Sequence, residues 1–212
     1  MRGKKMPCSR TQSPRRRRNQ PGFSLIEVLI SIIVLSFGLL GMVGMQSAAL
    51  QANREARLQS SAAVLARELA EMIRGNKEVG IGATNPYLGS FATSPLVATT
   101  PSYCLNVATS TTPCADQTAI ANAQMTEWLA RVDAQLPGAR VSVCFDSAPF
   151  DGSGLPQWGC NNAGAGAGGI VMVKIGWTRG STDRSQSGNA ALERAKAPSI
   201  VFPVTAGSGS DT

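Results

Sequence analysis

Two hundred and twelve residues, 43% hydrophobic and 5% aromatic, allow one modest domain with appendages and exclude two large cores. The chain contains no histidine. Ser-His-Asp and Cys-His nucleophile pairs, the HExxH metal site and mixed Cys/His zinc patterns are therefore excluded. The formal charge of +7 would ordinarily point to an acidic partner, but eight basic residues (Arg2, Lys4, Lys5, Arg10 and Arg15 to Arg18) and no acid lie within residues 1–22. Beyond them stand 12 basic and 13 acidic residues, a net charge of −1.

The basic run abuts Phe23-Ser24-Leu25-Ile26-Glu27, and residues 28–45 then carry no charge. A basic run against an apolar run reads as a membrane orientation signal. By the positive-inside rule residues 1–22 stay cytoplasmic and the chain beyond about Met45 is exported. Four consecutive arginines also suit a nucleic-acid arm, yet their position beside the apolar run favours the membrane, and no nucleic-acid partner is expected. The cysteines agree: Cys8 lies in the leader and Cys104, Cys114, Cys144 and Cys160 lie in the exported part. Four cysteines permit three pairings. The local ones, Cys104 with Cys114 and Cys144 with Cys160, need the least rearrangement of the chain, and each would add about 3 kcal/mol on the chain-entropy model. Neither has CxxC spacing, so structural staples in an oxidising compartment are expected rather than redox or metal chemistry.

An ordinary secretory signal is cut after its apolar stretch, next to small residues. Here Pro21-Gly22 hold the chain extended ahead of that stretch. Gly22 followed by Phe23, Ser24, Leu25, Ile26, Glu27, Val28 and Leu29 resembles the type IV prepilin motif, which pilins share with type II secretion pseudopilins. The resemblance implies cleavage between Gly22 and Phe23 by a membrane prepilin peptidase, N-methylation of the new Phe23 amine, and retention of the apolar stretch. Glu27 also stands out on physical grounds, because a carboxylate in an apolar span costs roughly 2.5 to 3.5 kcal/mol at a helix centre and usually has a partner. In an assembled bundle Glu27 of one subunit would pair with the Phe23 amine of a neighbour. Alternatively it reaches headgroup water or favours the positive helix N-terminus.

Gly38, Gly41 and Gly44 weaken the helix locally or permit close helix packing in lipid. Beyond Met45 the pattern becomes amphipathic: Leu58, Ala62, Leu65, Leu69 and Met72 form one stripe, and Gly75-Asn76 ends it. A helix over residues 23–74 would be about 78 Å long, far beyond a bilayer's roughly 30 Å. The stripe is too short for a clear coiled coil and is expected to pack on the protein's own sheet.

Residues 76–115 read as irregular connection with one short strand. Ile120, Met125, Trp128, Leu129, Val132 and Leu136 mark a helix within residues 116–136 that Pro137-Gly138 stops. Val141, Val143 and Phe145 alternate with Arg140, Ser142, Cys144 and Asp146 as a half-buried strand. Val171, Val173, Ile175 and Trp177 repeat the pattern with Lys174 on the opposite face. Ile200, Phe202 and Val204 give a further strand, which Pro203 places at an edge. The whole is an α+β, pilin-like fold: a long N-terminal helix, half transmembrane and half amphipathic, packed on a small antiparallel sheet. The expected divisions are a removed leader (1–22), a transmembrane and filament-core helix (23–45), an amphipathic helix (46–75) and a disulfide-stapled head (76–212). The short helix with Leu136-Pro137-Gly138, the strand containing Cys144 and the strand ending at Trp177 resemble the PilV class of minor pilins.

Other signals have plainer readings. Gly164, Gly166 and Gly169 fit GxGxxG but precede a strand, so the dinucleotide context is missing and residues 161–169 read as a hairpin or surface loop. Asp146 and Asp151 bracket a Pro/Gly-rich loop and are read as solvated loop acids in preference to calcium ligands. The Ser/Thr-rich stretches at residues 93–112 and 181–187 read as exposed loops, and Trp128, Trp158 and Trp177 as core or half-buried anchors. No catalytic constellation, metal site or cofactor is expected. The resemblance implies a minor pilin held in the bacterial inner membrane and then built into a pilus fibre or tip. Its partners would be the prepilin peptidase, other minor pilins, the major pilin and the inner-membrane assembly platform. The alternatives are a type II secretion pseudopilin and, from another class, a single-pass exported sensor or enzyme.

Overall fold

The computed structural model describes residues 22–82, 84–106, 112–163, 169–181 and 185–205. The chain divides into two compact units, Met1–Leu50 and Gln51–Thr212. Helix α1, Leu25–Gly75, contributes to both. In the first unit its large apolar side chains are exposed on every side, from Leu25 to Met45. An isolated helix that is hydrophobic all round needs lipid or other protein to cover it. The hydroxyls of Ser31 and Ser36 donate to the carbonyls of Glu27 and Ile32, both at 2.7 Å, so neither polar group depends on water.

In the second unit α1 is amphipathic, as its stripe predicts. Ala62, Leu65, Ala66, Leu69, Ala70 and Ile73 are buried, while Leu58 and Met72 sit partly buried at the margins. Three alanines on the buried face let neighbouring elements come close. The helix α2, Lys77–Ile81, follows almost at once where the sequence reads as irregular chain. Gly75-Asn76 is a brief interruption, with the Asn76 backbone amide still donating to the Met72 carbonyl at 3.1 Å, and the buried Asn76 side-chain amide donates to the Gln117 carbonyl at 2.8 Å.

Helix α3, Gln117–Gln135, starts at Asp116, whose side chain accepts from the Ala119 amide at 2.7 Å. It buries Met125, Trp128, Leu129 and Val132 in the same core as α1. The Trp128 indole donates to the Leu65 carbonyl at 2.9 Å, and Arg131 ion-pairs with Glu68. Gly138 ends the exit turn with φ +56, and a Cβ there would lie 2.3 Å from Thr178 Oγ1. Only glycine satisfies both the left-handed backbone and that approach.

Strands β1 (Gly89–Phe91), β2 (Arg140–Phe145), β3 (Val171–Gly176) and β6 (Ile200–Val204) form an antiparallel sheet in the order β1-β2-β3-β6. Pro203 stands in an edge strand. A two-residue ladder joins β4 (Arg179–Gly180) to β5 (Leu192–Glu193), with a 3-10 turn, Gly188–Ala191, ahead of β5. Val141, Val143, Phe145, Val171, Val173 and Ile175 join the helical core.

The reading of β2 and β3 as half-buried strands is corrected. Every residue of β3, and every residue of β2 after Arg140, is buried. The chain from Asp146 to Cys160 folds back over the face that carries Ser142, Cys144 and Lys174. Cys160 is bonded to Cys144, the Gly159 carbonyl accepts from Lys174 Nζ at 2.5 Å, and the Trp158 ring lies against Gly176.

Candidate assembly site

Gly22, Phe23 and Ser24 lie outside regular structure, and α1 begins at Leu25. The Ser24 carbonyl accepts from the amides of Glu27 at 3.0 Å and Val28 at 3.3 Å, which makes Ser24 the residue that starts the helix. The Ser24-x-x-Glu27 spacing is that of a capping box, a local signal that the sequence reading did not use. Glu27 stands in the first turn, where the helix dipole favours a negative charge. Gly22, Phe23 and Glu27 are all exposed, Phe23 at 84%.

After Glu27 the next charged residue is Arg54. Leu25 to Met45 is 21 residues of helix, about 31 Å, matching a bilayer's hydrocarbon core. This stretch lies in the one helix, among the described residues, that is long and apolar enough to cross a membrane. Its chemistry is that of association: an apolar cylinder whose one charged side chain is a carboxylate in its first turn.

Cys104 and Cys114 are disulfide-bonded with Cα atoms 5.0 Å apart, and Cys144 and Cys160 with Cα atoms 6.3 Å apart. The first pair ties down the segment ahead of α3, and the second holds the fold-back chain to β2. Cys144, Asp146 and Cys160 bring their ligand atoms within 4.8 Å of one another. Both sulfurs are consumed by the disulfide, so no thiolate is offered to a metal.

The reading of Asp146 as a solvated acid is also corrected. Its side chain is 1% exposed and pairs at 2.5 Å with Lys174, which is 0% exposed. Burial alone would raise the Asp146 carboxyl. Hydrogen bonding to Lys174 and to the amides of Ala148 and Asn161, with the Lys174 charge, holds it below the usual carboxylate range. Asp151 turns back on its own loop, accepting from the amides of Ser153 and Leu155 at 2.8 and 2.9 Å. Trp128 and Trp177 are fully buried and Trp158 is half-buried. Gly164 and Gly166 lie outside the described residues, as do Cys8, residues 107–111 and residues 182–184.

Residues 17–43 match the prokaryotic N-terminal methylation motif, and residues 44–128 match the Tt1218-like family, described as type IV pilin Tt1218. No curated protein and no solved structure matches the chain. The adjoining matches, with the long helix on a small antiparallel sheet, make this chain a member of the type IV prepilin family. The family points to a structural protein that a prepilin peptidase processes and that assembles with other pilins.

Proposed function

We propose that the chain is a minor pilin of a type IV pilus, resembling the PilV class. It enters the bacterial inner membrane with residues 1–22 cytoplasmic and the head, residues 76–212, periplasmic. A prepilin peptidase cuts between Gly22 and Phe23, and the Phe23 amine is methylated. Residues 23–45 then leave the bilayer through the assembly platform and pack among the helices of other minor pilins and the major pilin, with Glu27 facing a neighbour's Phe23 amine. The amphipathic helix, residues 46–75, carries the head at the fibre surface or tip, where it initiates or modifies fibres that serve motility and adhesion. The disulfides Cys104–Cys114 and Cys144–Cys160 keep the exported head folded.

The observation that supports this reading is the exposed, charge-free helix headed by Glu27 directly after Gly22-Phe23. Apolar packing supplies the attraction, and the Glu27–amine pair supplies register, because an uncompensated carboxylate in an apolar bundle disfavours every other alignment. The test is mass spectrometry of the mature chain. An N-methylated Phe23 is expected, and an intact leader or a cut beyond Met45 refutes the reading. Deletion separates pilus from secretion roles: loss of surface pili supports a minor pilin, and loss of enzyme secretion with pili intact supports a type II pseudopilin.

A further inference from the structure

The covered face of the sheet carries a second charged group that assembly through α1 does not use. Arg140 opens β2 opposite Gly176, and its guanidinium carbon lies 4.2 Å from the centroid of the Trp158 ring. The indole comes this close because residue 176 is glycine. A Cβ there would lie 3.0 Å from Trp158 Cζ2 and 2.7 Å from the Ala195 Cβ. Ala195 brings the segment containing Arg194 to the same place. Arg194 donates to the Ala92 carbonyl, and its positive charge, after burial, disfavours the charged form of Arg140.

Arg74, Arg131, Lys174 and Arg179 each have a carboxylate partner. Among the described residues, Arg140 and Arg194 have none within ion-pair distance. Two donors at the centre of the group, Arg140 Nε and Trp158 Nε1, are buried and find no acceptor there. Two guanidinium groups that repel each other, beside two unmet donors, lack one thing: an acceptor that carries negative charge. A guanidinium over an indole ring still has N–H donors to offer an oxyanion.

We propose that Arg140, Arg194 and Trp158 form a binding site for a single oxyanion group of carboxylate or sulfate type. It comes either from a soluble anion or from an acidic group on a second copy of this chain. The site lies on the head and does not depend on the pilus reading.

The test is a titration of the full chain, in uncharged detergent micelles at constant ionic strength, with sodium sulfate and sodium acetate. The indole N–H resonances are followed by NMR, with that of Trp158 assigned through Trp158→Phe. A saturable shift of the Trp158 resonance is expected, weakened about tenfold or more in Arg194→Gln, whose exposed side chain can be changed without disturbing the core. Arg140→Lys, which keeps the charge and removes the fork, should weaken it too. A Trp158 resonance that does not move, or that moves equally in the wild type and Arg194→Gln, overturns the proposal. Raising the protein concentration without added anion distinguishes the sources. A shift that grows with concentration and is displaced by sulfate assigns the acidic group to a second chain. A concentration-independent spectrum that still responds to sulfate assigns it to a soluble anion.

Discussion

Replacing Asp146 with alanine should cost the head about 3–5 kcal/mol, because it strands the Lys174 ammonium in a place water does not reach. Lys174 is 0% exposed and its partner 1%, at 2.5 Å, so solvent cannot take over the lost charge. The Gly159 carbonyl still accepts from Lys174, but one neutral acceptor does not replace a carboxylate. The Ala148 amide, which donates to Asp146 at 3.0 Å, adds about 1 kcal/mol for its lost bond. Against a typical domain stability of about 5–15 kcal/mol this is a large fraction. The double variant Asp146→Leu with Lys174→Met removes both charges and should recover most of the loss, since apolar replacements of buried ion pairs are often neutral or better. The assay is guanidinium unfolding of the full chain in micelles, followed by the fluorescence of the buried Trp128 and Trp177. Acid supplies an independent reading with a fixed sign. The folded-state Asp146 carboxyl is held below its ordinary value, so its contribution is complete above the unfolded pKa of about 3.9 and is lost as pH falls through the folded value. The wild type should therefore lose more stability below about pH 4 than the double variant does. A single variant that loses less than about 1 kcal/mol, or a double variant as damaged as the single, refutes a buried, coupled pair.

Glu27→Gln keeps a side chain able to cap at position 27 and removes its charge. It should insert in the membrane normally yet enter fibres poorly, measured as its share in sheared pili against membrane fractions, and normal incorporation dismisses the pairing role. Gly138→Ala combines a left-handed φ with a Cβ 2.3 Å from Thr178 Oγ1 and should destabilise by about 1–3 kcal/mol. Gly152→Ala, with nothing within 4 Å of the added atom, should be near neutral in the same unfolding assay. Removing the Cys144–Cys160 bond with Cys144→Ser and Cys160→Ser should lower stability by about 3 kcal/mol. If the bond only decorates the surface, the midpoint will not move.

Periodicity made α3, the amphipathic stripe of α1 and the core-facing half of β2, β3 and β6 legible, because which side chains share a face depends on local geometry alone. What covers the other face is a separate matter that the period does not carry. Lys174, Ser142 and Cys144 look like a solvent face in sequence, yet the chain from Asp146 to Cys160 lies over them. One clue was present: a cysteine pointing away from the core that bonds a partner 16 residues on must pull that partner over its own face. Asp146, six residues into the strand pattern, then becomes a counter-ion for a covered lysine. The Arg140, Trp158 and Arg194 group offered no such clue, since it joins three separate segments and depends on a glycine in a fourth place to admit the indole.

The N-terminal motif is legible for the opposite reason. A peptidase acts on the single chain before the protein assembles, so the information it reads sits in a few adjacent residues, and Gly22 to Leu29 supplies them within the matched segment 17–43. Its consequence lies outside the chain. The core of the second unit is formed from that unit's own residues, whereas the apolar cylinder of the first unit is exposed throughout. Folding one copy leaves that surface uncovered, so lipid or other protein must cover it. On the proposed assembly, an acid in the first turn would constrain how such helices align: apolar contact tolerates sliding by a turn, and a carboxylate buried in a bundle would not.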